Sequence, residues 1–76
     1  MSQHLPVISG REAAKAFTKI GFETLAGRGK GSHVRMRRDS DAAKLTIPDH
    51  NPIKRGTLRS IIRDAGLTVD EFRELL

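Results

Sequence analysis

The chain has 76 residues, of which 37% are hydrophobic, and its only aromatic residues are three phenylalanines. It has no cysteine, which excludes disulfides and metal sites that need thiolates. A chain of this length forms one small domain with a thin core. Its formal net charge is +5, and five basic residues without an acid lie between positions 28 and 38. Such a segment is most often only a solvated surface, but together with a histidine it favours a nucleic-acid partner.

Membrane insertion and export are not expected from the sequence. No apolar run approaches the ~20 residues that a membrane-spanning helix needs. The short apolar stretch at residues 5–8 has neither the basic flank nor the cleavage site of a signal peptide. We therefore expect a soluble cytoplasmic protein.

The first helix is predicted over residues 10–20. Ser9 and Glu12 have the spacing of a capping box, in which each side chain bonds to the other residue's backbone N–H. Apolar residues then recur at helical spacing as far as Ile20. Gly21 follows, where a left-handed C-terminal cap is expected.

Three strands are predicted next, over residues 22–28, 32–38 and 44–47, and Pro48 ends the third. Glycines at positions 29 and 31 supply turn chemistry between the first two strands.

Alternation along the second strand predicts two different faces. Val34 and Met36 point to one side, and His33, Arg35 and Arg37 point to the other, since successive side chains of a strand lie on opposite faces. We therefore expect an antiparallel sheet with an apolar face under the helices and an open basic face that carries His33.

A second helix is predicted from Lys54 or Arg55 to Ala65, ending at Gly66, and a capping box at residues 68–71 starts a short third helix. Arginines recur every four residues on the second helix as a separate stripe, at positions 55, 59 and 63. The stripe fits RNA phosphates, an acidic partner or a solvated face equally well. The order α-β-β-β-α-α predicts an α+β fold with helices on one face of a three-stranded antiparallel sheet.

Three ordered motifs resemble the HicA (YcfA-like) family of bacterial toxin ribonucleases. The first is Lys30-Gly31-Ser32-His33, which enters the second strand, and the second is Ile47-Pro48-Asp49-His50 after the third strand. The third is Gly56-Thr57-Leu58-Arg59 in the second helix. The resemblance extends over nearly the whole chain from Ser9 onward. It departs at Val34, where relatives often carry a histidine or an aromatic residue.

The resemblance implies a double-stranded-RNA-binding-domain-like fold, metal-independent cleavage of mRNA, and inhibition by a cognate HicB antitoxin. We expect residues 9–76 to form the single domain and residues 1–8 to be a flexible N-terminal extension. No cofactor and no metal are expected. The histidines are far apart in the sequence, and the aspartates lie in turns, where aspartate is common.

His33 is the predicted catalytic residue, because metal-free RNA cleavage needs a proton acceptor, a proton donor and positive charge near the phosphate. Phosphate binding is assigned to the residues around it, Lys30, Gly31, Ser32, Arg35 and Arg37. His50 is a candidate for the complementary proton transfer, or it orders the loop through a backbone hydrogen bond. A non-catalytic RNA-binding module of the same fold is the alternative function, and a protein that docks an acidic partner is a third.

Overall fold

The computed structural model describes residues 4–25 and 33–76. In chain order its elements are α1 (Gly10–Thr18), β1 (Phe22–Thr24), β2 (His33–Arg38), β3 (Ala43–Pro48), α2 (Arg55–Asp64) and α3 (Val69–Arg73). The strands form one antiparallel sheet in the order β1-β2-β3. The predicted α+β fold of the double-stranded-RNA-binding-like type is confirmed.

The helix ends follow the predicted capping chemistry. The Ser9 hydroxyl accepts from the N–H of Glu12 at 3.1 Å, and the Glu12 carboxylate accepts from the N–H of Ser9 at 2.9 Å. Thr68 and Glu71 form the same reciprocal pair at the start of α3. Gly21 has a φ of 99°, as expected for a residue that follows a helix. Within residues 4–25 and 33–76, no helix is both long and apolar enough to cross a membrane.

β1 is shorter than predicted. Regular pairing with β2 covers Phe22 to Thr24 only, and Leu25 adds one further backbone hydrogen bond. The rest of the predicted strand, the glycine turn and the start of the predicted second strand fall within residues 26–32, outside the described residues.

The core lies between the sheet and the helices. α1 contacts all three strands, and α2 packs against β3. Phe17 is fully buried, with its ring centroid 5.9 Å from that of Phe22 and 5.0 Å from that of Phe72. The predicted apolar face of the sheet is confirmed, because Met36, Leu45 and Ile47 are buried in the same cluster.

The N-terminal segment packs against the domain from Leu5 onward, although the sequence favoured a flexible extension over residues 1–8. Leu5 is 9% exposed and belongs to the core cluster. The carbonyl of Ile8 accepts from the N–H of Ile53 at 2.9 Å. The segment therefore contributes apolar surface to the core as well as a backbone hydrogen bond.

Arg38 lies on the core side of the sheet and joins several elements. Its guanidinium carbon lies 4.5 Å from the ring centroid of Phe22. It donates to both carboxylate oxygens of Asp41, at 3.0 and 2.8 Å. It also donates to the carbonyls of Ile20 at 3.5 Å and Ala65 at 3.3 Å. Two adjacent arginines thus differ in role, because Arg38 forms hydrogen bonds with several parts of the fold, whereas Arg37 is exposed to solvent.

Replacing Asp41 by asparagine should make the stability of the fold less dependent on pH under acidic conditions. The hydrogen bonds from Arg38 and from the N–H of Ala43 lower the pKa of Asp41 from 3.8 to about 2. A carboxyl whose pKa is lower in the folded state stabilises the fold above its unfolded pKa, and this contribution is lost as the pH falls towards the folded pKa. Melting temperatures measured from pH 5 down to about pH 2 should therefore fall less steeply for Asp41→Asn than for the wild type. Parallel curves would contradict this account of Asp41.

Replacing Gly10 by alanine should destabilise the fold, because α1 starts in direct contact with the end of β3. A Cβ at position 10 would overlap the carbonyl oxygen of Pro48 and lie 3.0 Å from the Cα of Asp49. Crowding of this kind typically costs about 1–3 kcal/mol. Gly56→Ala is the matched control, since a Cβ there has no described atom within 4 Å. In urea unfolding, the free energy of unfolding of the control should rise by up to about 1 kcal/mol, because alanine favours a helix more than glycine does. If both variants lost the same free energy of unfolding, the steric explanation would be refuted.

Candidate nucleic-acid interface

The face of the sheet away from the helices is open and basic. His33, Arg35 and Arg37 are exposed on it, while Val34 and Met36 turn towards the helices. The predicted separation of β2 into two faces is therefore observed. The alternation of polar and apolar residues produces it, because burying the apolar residues under the helices leaves the basic ones in solvent.

Strand pairing adds a fourth basic residue to this face. Lys44 is the cross-strand partner of Arg37, and Thr46 is the partner of Arg35. Like charges directly opposite one another in a sheet are destabilising. A sheet that places Arg37 against Lys44, with Arg35 two residues away, has a surface suited to a polyanion.

Described acidic residues lie beside Arg37, at one end of the basic row that His33, Arg35 and Arg37 form along β2. Glu23 of β1 is the cross-strand partner of Arg37. Asp39 lies 3.8 Å from the Arg37 guanidinium, with both side chains largely exposed, and exposed pairs of this kind contribute little. Among residues 4–25 and 33–76, no carboxylate lies within ion-pair distance of Arg35 or Lys44.

The two candidate catalytic histidines lie towards the same end of the sheet. His33 is paired with Pro48, two residues before His50. The side chain of His50 is exposed, and its backbone carbonyl accepts from the N–H of Gly10 at 2.9 Å. Asp49, which precedes His50 in the sequence, pairs with Arg11 at 3.5 Å. The backbone of His50 thus orders the loop, and its imidazole faces solvent.

Three predicted phosphate-binding residues, Lys30, Gly31 and Ser32, lie outside the described residues. Of the predicted site, the structure brings together His33, Arg35 and Arg37. Lys44 was not predicted from the sequence as part of this surface. The signal for it was the four-residue turn at positions 39–42, which sets Arg37 opposite Lys44.

The arginine stripe of α2 lies in the helical layer, apart from the basic sheet face. Arg55, Arg59 and Arg63 are all exposed, and no ion pair to a described carboxylate involves them. A separate cavity of about 310 Å³ lies between α1 and the C-terminal residues, lined in part by Ile8, Ala16 and Leu75. None of the predicted site residues lines it. No group of three histidine, aspartate or glutamate side chains suited to a metal occurs in the described part of the chain.

The family comparison matches the part of the chain that holds this surface. The model described as the HicA toxin of bacterial toxin-antitoxin matches residues 10–67, well over half of the chain. The match includes His33, the basic face and His50. A search of curated proteins gives no match. The chain belongs to the HicA toxin family of bacterial toxin–antitoxin systems.

Proposed function

We propose that this protein is a toxin that cleaves mRNA in the cytoplasm without a metal, uses His33 as a general acid or base, and is inhibited by a HicB-like antitoxin. The observation that carries the proposal is the position of His33. It is exposed at the start of β2, in the same outward row as Arg35 and Arg37. A proton carrier and fixed positive charges thus face the same solvent region.

The chemistry requires two proton transfers. A base removes the proton of a ribose 2′-hydroxyl, whose oxygen attacks the adjacent phosphorus. The bond from phosphorus to the 5′-oxygen breaks, and an acid protonates that oxygen as it leaves. The products are a 2′,3′-cyclic phosphate and a 5′-hydroxyl. Histidine suits either transfer, because its unperturbed pKa lies near neutrality. We assign one transfer to His33 and name His50 as the candidate for the other.

Positive charge has a separate task in this reaction. Negative charge grows on the non-bridging oxygens as phosphorus becomes five-coordinate, and fixed cations stabilise it. Arg35 and Arg37 are the described candidates, and Lys44 extends their row. Lys30, with the backbone N–H groups of Gly31 and Ser32, is proposed to hold the phosphate beside His33.

Recognition of RNA by this surface should be largely independent of sequence. The described core contains all three phenylalanines, and the chain has no tyrosine or tryptophan. Base stacking on aromatic side chains is therefore a minor contribution, and phosphate contacts should dominate. Affinity should then fall steeply with salt concentration.

The proposal is tested by incubating the purified chain with end-labelled mRNA in EDTA. We expect cleavage products that end in a cyclic phosphate, growth arrest when the protein is expressed alone, and relief of that arrest when the antitoxin is co-expressed. Salt-sensitive RNA binding without cleavage would contradict the proposal and favour a non-catalytic RNA-binding module. The absence of both binding and cleavage would favour docking to an acidic protein.

A further inference from the structure

One backbone hydrogen bond fixes which way the polar groups of β2 point. The N–H of Leu25 donates to the carbonyl of Arg35 at 2.8 Å. In an antiparallel sheet, the N–H and C=O of one residue point to the same side, and the side alternates along the strand. The backbone groups of Arg35 and Arg37 therefore point to β1, and those of Val34 and Met36 point to β3.

The same alternation identifies the unpaired groups of β3. Ile47 and Leu45, the partners of Val34 and Met36, point inward to β2. The N–H and C=O of Lys44 and Thr46 consequently point outward from the sheet. Both residues are exposed, and no backbone hydrogen bond from residues 4–25 or 33–76 reaches these outward groups.

The free edge is short and has a defined end. Pro48 has no N–H, and its carbonyl oxygen faces the first residue of α1, Gly10. In the described residues 4–9, the backbone bond outside the cap of α1 is from the N–H of Ile53 to Ile8, and Gly10 of α1 bonds to His50, so none of these bonds goes to the outer edge of β3. The described edge thus offers two donors and two acceptors at Lys44 and Thr46, which is sufficient to align one short strand.

Charge on the open face indicates the chemistry of that strand. Every second side chain of an added strand would lie on the open face, and the one directly opposite Lys44 would be about 5 Å from it between Cβ atoms. Arg37 is the next residue across, about 10 Å from the added strand at ordinary strand spacing. Acidic side chains at these positions would be attracted by Lys44 and by Arg37 behind it.

A second copy of the chain fits this edge poorly. Two β3 strands paired about a twofold axis would bring Lys44 close to its own symmetry mate or set it opposite Thr46 of the other copy. Each copy also has a net charge of +5. Close like charges oppose such pairing, so the occupant is expected to be a protein of opposite charge.

We propose that the outer edge of β3 binds a β-strand of the antitoxin whose side chains on the open face are acidic. This inference rests on the proposed function for the identity of the partner. The added strand would extend the sheet beside the basic row and place a carboxylate opposite Lys44. The carboxylate opposite Lys44 lies within the screening length of about 8 Å in physiological salt, so it would compete electrostatically with RNA phosphates for Lys44. Its effect on Arg37, about 10 Å from the added strand, is weaker because salt screens it. Inhibition would thus combine backbone pairing with charge neutralisation.

Amide hydrogen exchange of the wild-type toxin tests the pairing directly. The probe is a purified HicB-like antitoxin that relieves the growth arrest caused by this toxin. We expect the amides of Lys44 and Thr46 to exchange quickly in the free toxin and to become protected in the complex. The amides of Leu45 and Ile47 should be protected in both states. Protection elsewhere without protection at Lys44 and Thr46, or failure to form a complex, would overturn the inference.

Two pairs of variants separate backbone from side-chain effects. Thr46→Pro removes the outward N–H without breaking a bond to β2, whereas Thr46→Val keeps the N–H and the shape of the side chain. Antitoxin affinity should fall about tenfold or more for the proline variant and stay near the wild-type value for valine. Lys44→Glu should also weaken binding, and Lys54→Glu, with the same change of charge at the N-cap of α2, should weaken it much less. Equal effects within either pair would contradict the proposed edge.

Other occupants give different results. Protection of Lys44 and Thr46 by RNA alone would overturn the inference in favour of RNA, and their protection by self-association at high concentration would overturn it in favour of a second copy. RNA cleavage by the free toxin is measured in parallel. Cleavage without edge protection by the antitoxin refutes only the edge, and edge protection without cleavage refutes only the ribonuclease assignment.

Discussion

Replacement of His33 by alanine is expected to reduce RNA cleavage by about 10²–10⁴-fold, the usual contribution of a positioned acid or base. His33 is exposed on the open face, and its side chain is not part of the core cluster. Its loss should therefore leave the fold intact and leave RNA binding by Arg35, Arg37 and Lys44 largely unchanged. Single-turnover cleavage in EDTA measures the rate, and filter binding measures the affinity.

His50→Ala is the matched control. It removes an exposed imidazole near the same end of the sheet, while the backbone carbonyl that accepts from Gly10 remains. A large loss of cleavage in both variants would assign one proton transfer to each histidine. A large loss at His33 alone would leave His50 with its role in the loop. Wild-type cleavage by a folded His33→Ala protein, with folding checked by circular dichroism, would refute the catalytic assignment.

Replacement of Phe17 by alanine is expected to cost about 3–5 kcal/mol, as for other large aromatic residues deleted from a core. Phe17 is completely buried and contacts the rings of Phe22 and Phe72, so it joins α1 to β1 and to α3. Domains of this size have a total stability of only about 5–10 kcal/mol. The melting temperature should therefore fall by more than about 15 °C.

Val7→Ala is the control for this loss, because Val7 is 79% exposed. Its free energy of unfolding should change by less than about 0.5 kcal/mol. Thermal melts followed by circular dichroism measure both variants. A Phe17→Ala protein that melts within a few degrees of the wild type would show that the three-ring cluster does not hold the helices to the sheet.

The sequence was most informative where local chemistry determines the structure. Ser9 with Glu12, and Thr68 with Glu71, have the spacing of a capping box at a helix start, and both capping boxes are confirmed. The period of two in β2 placed His33, Arg35 and Arg37 on the open face. These features depend on residues within a few positions of one another.

Features that depend on distant parts of the chain could not be predicted in the same way. The burial of Leu5 depends on core surface supplied by several elements, and a short apolar run does not specify it. The position of Lys44 beside Arg37 depends on the register of two strands. The sequence places Arg38 beside other basic residues, but only the folded chain brings its guanidinium to Phe22 and Asp41.

Arg38 also has an electrostatic consequence for the helices. Ile20 follows the end of α1, and Ala65 caps the end of α2. Arg38 donates to the carbonyls of both residues. The carboxyl end of a helix carries the negative pole of its dipole, so one cation compensates two poles that converge under the sheet. A neutral residue of similar length, such as methionine, would fill the space and leave both poles uncompensated. The position should therefore select for permanent positive charge rather than for size.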